Sequence, residues 1–193
     1  MKFRTTIAVL SLFPIAGLAD GFEYTFVEGG FMSSEIDVGG ADIDGDGISL
    51  AGSYAFNEQI HFIAGYADQS YDFGIDTTTI TLGAGINHVL DDDWDFIGQL
   101  TYVSFDMDTA GGSADDDGIG LMGGVRGRVR PNIEVDAGLN YIDVGNSDTS
   151  LFVRGRYYIR DTFSVGGGLT LDDGDTTLNL TVRALFGGNG SRR

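Results

Sequence analysis

Three groups of residues could carry chemistry. The first is the pair of histidines, His61 and His88. The second group is Asp42-Ile-Asp44-Gly-Asp46-Gly47, which has the oxygen spacing of the first half of an EF-hand loop, where hard carboxylates wrap Ca²⁺. Its second half fails, because position twelve would be Ser53 where a bidentate Glu is needed. Asp42, Asp44 and Asp46 are therefore expected to bind a divalent cation, Ca²⁺ or Mg²⁺, only weakly. The third group is a set of arginines at spacings of two: Arg126, Arg128 and Arg130, then Arg154 and Arg156 with Arg160 beyond them, then Arg183. Glu134 and Asp136 keep the same spacing between the two Arg runs. A period of two puts each set on one face of a β-strand, so the arginines and acids would share a side of whatever sheet carries them.

The elements that must position these groups are strands. Beyond residue 20 the chain repeats segments of about ten residues in which apolar residues alternate with polar or tiny ones, separated by turn chemistry. Ile48, Leu50, Gly52, Tyr54 and Phe56 alternate with Ser49, Ala51, Ser53 and Ala55. Leu178, Leu180, Val182, Ala184 and Phe186 alternate with Thr177, Asn179, Thr181 and Arg183. Ten such segments are predicted, over 22–33, 45–56, 60–70, 77–89, 94–105, 118–130, 133–144, 149–159, 163–171 and 176–186. A strand of a soluble sandwich alternates in the same way, so the count and the connections decide the class. Ten is even, as single-chain bacterial barrels require, and eight is the alternative count.

The connections differ in character. Asn57-Glu58-Gln59, Asp91-Asp92-Asp93, Pro131-Asn132 and Arg160-Asp161-Thr162 are short, whereas Ser34 to Asp44 and Asp106 to Asp117 are long and rich in Asp and Gly. Short periplasmic turns opposite longer external loops are the asymmetry of a transmembrane antiparallel up-and-down β-barrel, with both termini in the periplasm. With 31 Gly, 2 Pro, no Cys and 11% aromatics, the composition also favours strands and turns over helices.

Residues 1–19 read as a signal peptide: basic Lys2 and Arg4, an apolar stretch from Ile7 to Ile15, and Gly17-Leu18-Ala19 before Asp20. Residues 20–193 would form the barrel domain, carrying nine basic and 29 acidic residues and a charge near −20. So acidic a chain has little with which to neutralise phosphates, and nucleic acid is not an expected partner.

Aromatics gather toward predicted strand ends. Tyr54, Phe56, Trp94, Phe96, Tyr157, Phe163 and Phe186 lie near the turns; Phe31, Tyr66, Tyr102 and Tyr141 lie nearer the loops. Two interfacial girdles are expected from this distribution. The last segment also looks like the assembly signal read by the barrel assembly machinery, alternating hydrophobics closing on Phe186, although Gly187 to Arg193 follow it.

The opening of the mature chain, Phe22-Glu-Tyr-Thr-Phe-Val-Glu-Gly-Gly-Phe31, together with Asp42-Ile-Asp-Gly-Asp-Gly47, Ala51-Gly-Ser-Tyr-Ala55 and Gly65-Tyr66, resembles a known family. It is similar to the small outer-membrane β-barrel family of plant-associated gammaproteobacteria described as regulated by a diffusible signal factor. The resemblance implies a porin-like fold and an outer-membrane location. It carries no catalytic motif over to this chain.

If the apolar face meets lipid, the other face lines the lumen and receives Arg126, Arg128, Arg130, Arg154, Arg156, Arg160 and Arg183, with Glu134 and Asp136 between them. Arg on the lipid face near the midplane would cost about 2–4 kcal/mol, so periodicity and energy agree. Glu28 is expected to join this network, although it shares a face with Tyr24 and Phe26 unless a bulge intervenes near Gly29-Gly30. A ten-stranded barrel is only slightly wider than one whose side chains fill it, so a salt-bridged plug is expected, with a narrow porin-like channel for small solutes as the alternative. Acidic clusters, including Asp115 to Asp117 and Asp172, Asp173 and Asp175, would face lipopolysaccharide outside. His61 is predicted toward the lumen and His88 toward lipid, both at the periplasmic end. A barrel protease needs His and Asp at the external rim and an acyl hydrolase needs Ser beside a lipid-facing His; neither pattern appears, so no enzyme activity is expected. The expected protein is a monomeric barrel of structural or surface-interaction role.

Overall fold

The computed structural model describes residues 22–37 and 42–186. The expected signal peptide and the tail from Gly187 lie outside the described residues. Ten antiparallel strands close on themselves: β1 (Phe26–Asp37), β2 (Asp42–Ala55), β3 (Ile60–Tyr71), β4 (Ile75–Val89), β5 (Trp94–Thr109), β6 (Gly112–Arg130), β7 (Ile133–Val144), β8 (Asn146–Arg160), β9 (Phe163–Asp172) and β10 (Asp175–Leu185). Each strand pairs with its chain neighbours, and β1 pairs with β10 to shut the barrel. Closure matters because an open edge would leave backbone groups unpaired in lipid.

The period-two alternation sorts side chains as expected. Outward residues such as Phe31, Leu50, Leu82, Leu100, Leu121, Leu139, Leu178 and Leu180 form an exposed apolar belt, and the girdle aromatics Tyr54, Phe56, Phe96, Tyr157 and Phe186 are exposed at its turn end. A belt of this extent has no place on a water-facing surface and suits the hydrocarbon layer of a membrane. Many inward residues are polar or small, and toward the external ends of β1, β3 and β10 Gln69 Nε2 donates to Ser34 Oγ at 2.8 Å and Ser34 meets Thr177 at 3.0 Å. Toward the external end Val103, Phe105, Ile142 and Val144 pack together inside.

Three details differ from expectation. The connections read as long loops are mostly ladder: β1 and β2 pair as far as Asp37 opposite Asp42, and β5 and β6 as far as Thr109 opposite Gly112. Alternation continues through these acidic stretches, and a ladder satisfies the backbone whether its outward side chains are apolar or charged. Next, β1 has no bulge at Gly29-Gly30, since its registers with β2 and β10 are continuous. Gly30 points inward where a Cβ would press on the Leu180 carbonyl at 2.8 Å, so close approach explains the residue. Finally, registers slip between Arg128 and Arg130 and between Tyr158 and Arg160. Arg130 and Arg160, read as lumenal, are exposed at the turn end, because a bulge breaks the alternation just before each.

Candidate functional site

The charged lumen is the structure's most distinctive site. On β6 and β7, Arg126 stands opposite Asp136 and Arg128 opposite Glu134; on β7 and β8, Glu134 stands opposite Arg156 and Asp136 opposite Arg154. The two acids of β7 are thus held between the arginines of β6 and β8. Arg126 and Arg156 choose diagonal partners, whereas Arg154 and Arg183 meet the acids directly opposite them. Arg126 binds Glu134, while Arg156 Nη2 donates to Asp136 Oδ1 at 2.8 Å and its Nη1 stands 3.6 Å from Glu134. Arg154 Nη1 lies 3.7 Å from Asp136, and Tyr158 Oη donates to Glu134 at 2.9 Å. Across the lumen Arg156 Nε is 3.9 Å from Glu28, which accepts from Arg183 Nε at 2.9 Å. Arg126, Arg156, Arg183, Glu28, Glu134 and Asp136 are all buried, Arg126 completely. Aromatic faces complete the cages: Arg183 lies 3.8 Å over Phe26 and Arg154 lies 4.2 Å over Phe152. Arg128, half-buried, lies 5.1 Å over Phe22.

Beneath this network the chain does something the alternation does not show. Phe22 to Thr25, read as the start of the first strand, leave the wall. Thr25 marks the departure: its Oγ1 accepts from the Ala55 amide of β2 and its carbonyl accepts from the Phe186 amide. From there the chain crosses the lumen. Tyr24 stacks on His61 of β3 with ring centroids 4.9 Å apart and donates to Asp95 Oδ2 of β5 at 3.2 Å. Phe22 packs with Ile97, Met122 and Phe152 on β5, β6 and β8, under the Arg126 guanidinium at 4.7 Å. In a ring of ten, β6 is diametrically opposite β1. The four residue steps from Phe22 to Phe26 span roughly 13 Å when extended, which accounts for the crossing. His61 faces inward, fully buried, and the site is cut to fit it: a Cβ on Gly85 would collide with its ring. His88 faces outward at the turn end. The sequence signal for this strap was the aromatic run Phe22-x-Tyr24-x-Phe26 on the same face as a charge, unusual for a lipid-facing strand.

The acidic residues behave differently from a coordination loop. Asp42, Asp44 and Asp46 lie on the outward face of β2, exposed, in line with Ile48 and Leu50. Alternate residues of a strand are about 7 Å apart, so no single ion can touch all three, and the EF-hand spacing fails for that geometric reason. Among the described residues no three His, Cys, Asp or Glu side chains are grouped to hold a metal ion. The ladder instead sets like charges directly opposite: Glu35 with Asp44, Asp37 with Asp42, and Asp106 with Asp115. At the external end of β9, beyond the apolar belt, burial and a hydrogen bond with Asp148 push the Asp172 carboxyl up to about 6.

No family model and no curated protein matches the chain. Solved structures do resemble it. An outer-membrane channel from Pseudomonas putida F1 is 12% identical, with 90% of this chain and 97% of that one covered at a TM-score of 0.53. The KdgM porin in complex with disordered oligogalacturonate is 12% identical, with 84% and 99% covered at 0.48. Ail, the attachment invasion locus protein of Yersinia pestis, is 14% identical, with 83% and 95% covered at 0.41. At such identities only the fold carries over, and this chain has the closed antiparallel barrel fold of bacterial outer-membrane proteins.

Proposed function

We propose that this chain resides in the outer membrane as a closed barrel with a structural or surface-interaction role, and that it is not an enzyme. The observation that supports the reading is the buried Arg126–Glu134–Arg156–Asp136 network, continued through Glu28 to Arg183, which lines the lumen, with Phe22 and Tyr24 packed across it beneath. The outward carboxylate ladders of the β1–β2 and β5–β6 hairpins stand above the apolar belt, level with anionic headgroups. Divalent cations bridging them to lipopolysaccharide would relieve their repulsion. Membership of the barrel family regulated by a diffusible signal factor, insertion by the barrel assembly machinery through β10, and a monomeric state belong to the same proposal. Purified protein in a planar bilayer should show no stepwise conductance. Regular open steps from the native chain would overturn the filled lumen and favour a narrow channel.

A further inference from the structure

We infer that the barrel has a latent second function, conduction of small anions, held off by residues 22–25 acting as a removable plug. The inference deepens the filled-lumen reading and rests on it.

Among the described residues, the strap is the part of the lumen filling that is not built into the wall. The β1 ladders with β2 and β10 both begin at Phe26, so Tyr24 and Phe22 are held by side chains. Those contacts include one hydrogen bond to Asp95, a stack on His61, an apolar nest around Phe22 and the guanidinium groups of Arg126 and Arg128 against its ring, and Glu23 between them is not free either. Thr25, pinned to both flanking strands, is a ready hinge. A segment so attached can swing toward the periplasm without breaking a single strand pair.

What the swing would uncover is cationic. Arg126, Arg128, Arg154, Arg156 and Arg183 face Glu28, Asp95, Glu134 and Asp136, five guanidinium groups against four carboxylates. Asp95 stands directly opposite Arg126, and Tyr24 caps it in the closed state. Arg126 Nε and Nη1 are buried with no hydrogen-bond partner, beside the ring of Phe22. Donors of this kind, freed of the ring, suit a passing chloride or small carboxylate, since charged side chains set the sign of ion that a pore admits.

The test compares the native chain with Phe22→Ala/Tyr24→Ala in planar bilayers, with circular dichroism and heat-dependent gel migration reporting folding. The native chain should be silent. The double variant should open in steps, its open fraction raised roughly tenfold or more by loss of one hydrogen bond, one stack and the apolar nest, with reversal potential in a KCl gradient shifted toward chloride. A folded variant that stays silent overturns the plug while leaving the filled lumen intact, and one that prefers potassium overturns the anion assignment. Steps from the native chain would sink the parent reading instead. A second variant covers the case in which the first does not fold. The chain lacks cysteine, so Phe22→Cys places a unique thiol on the strap. That thiol should react at least tenfold more slowly with a water-soluble reagent in the folded barrel than in urea, and its modification should open the barrel. Equal rates in both conditions, or modification without conductance, would refute the seated plug.

Discussion

Glu28 on β1 and Arg183 on β10 face each other across the seam where the barrel closes, with Arg183 Nη2 2.8 Å from Glu28 Oε2 although the residues are 155 apart in sequence. The pair is buried and shielded by Phe26. First and last strands have no turn to hold them together, so this pair, with Ser34 and Thr177 farther along, adds side-chain contacts to the ladder that closes the ring.

Removing one partner should therefore hurt more than removing both. Glu28→Gln leaves a buried guanidinium without its carboxylate, at an expected cost of about 3–5 kcal/mol, whereas Glu28→Gln with Arg183→Met should recover most of that loss. Urea unfolding in detergent or vesicles reads both. Equal losses in the single and double variants would mean that the seam is held by its backbone ladder alone.

Between β6 and β8 the acids of β7 neutralise Arg126 and Arg156. Glu134→Gln together with Asp136→Asn should lower stability by several kcal/mol, because the arginines remain buried. Thermal migration on gels should move to a lower temperature. An unchanged transition would show that the arginines are screened by water, as in an aqueous pore.

The external rim should make stability fall with rising pH. Burial beside Asp148 raises the Asp172 carboxyl from 3.8 to about 6, so the folded barrel holds a proton that the unfolded chain has released in this range. The stabilisation is complete below 3.8 and is lost as pH rises through about 6, where a second negative charge must be accepted next to Asp148. Asp172→Asn should flatten the profile between pH 4 and 7, the window in which this group changes charge. A variant with the native slope would assign the dependence to other carboxylates.

Calcium should bind weakly and at several places. With Asp42, Asp44 and Asp46 strung along one strand face, affinities of roughly 10⁻⁴ to 10⁻³ M are expected, those of loosely organised extracellular sites. Substituting all three by Asn should reduce the calorimetric signal only in part. Complete loss would point to a single site built by this strand, and a signal reproduced by NaCl at equal ionic strength would leave only screening.

Much of this molecule was legible before any coordinates. A period of two is a local property of extended backbone, so the spacing of Arg126 and Arg128, of Glu134 and Asp136, and of Arg154 and Arg156 fixed their shared face, and the apolar partners of each strand fixed which face met lipid. Short turns such as Pro131-Asn132 fixed the order in which adjacent strands pair. Tertiary structure alone decided the rest. Alternation says which side a residue takes but not what it meets across a closed lumen. The diagonal choice of Glu134 by Arg126, the reach of Arg156 to Glu28, and the hydrogen bond from Tyr24 to Asp95, 71 residues away, depend on how ten tilted strands come round to meet one another. The departure of Phe22 to Thr25 from the wall was hidden for the same reason. An extended strap and an extended strand share one local conformation, and only the presence of a facing wall, here His61, Asp95 and Met122, tells them apart.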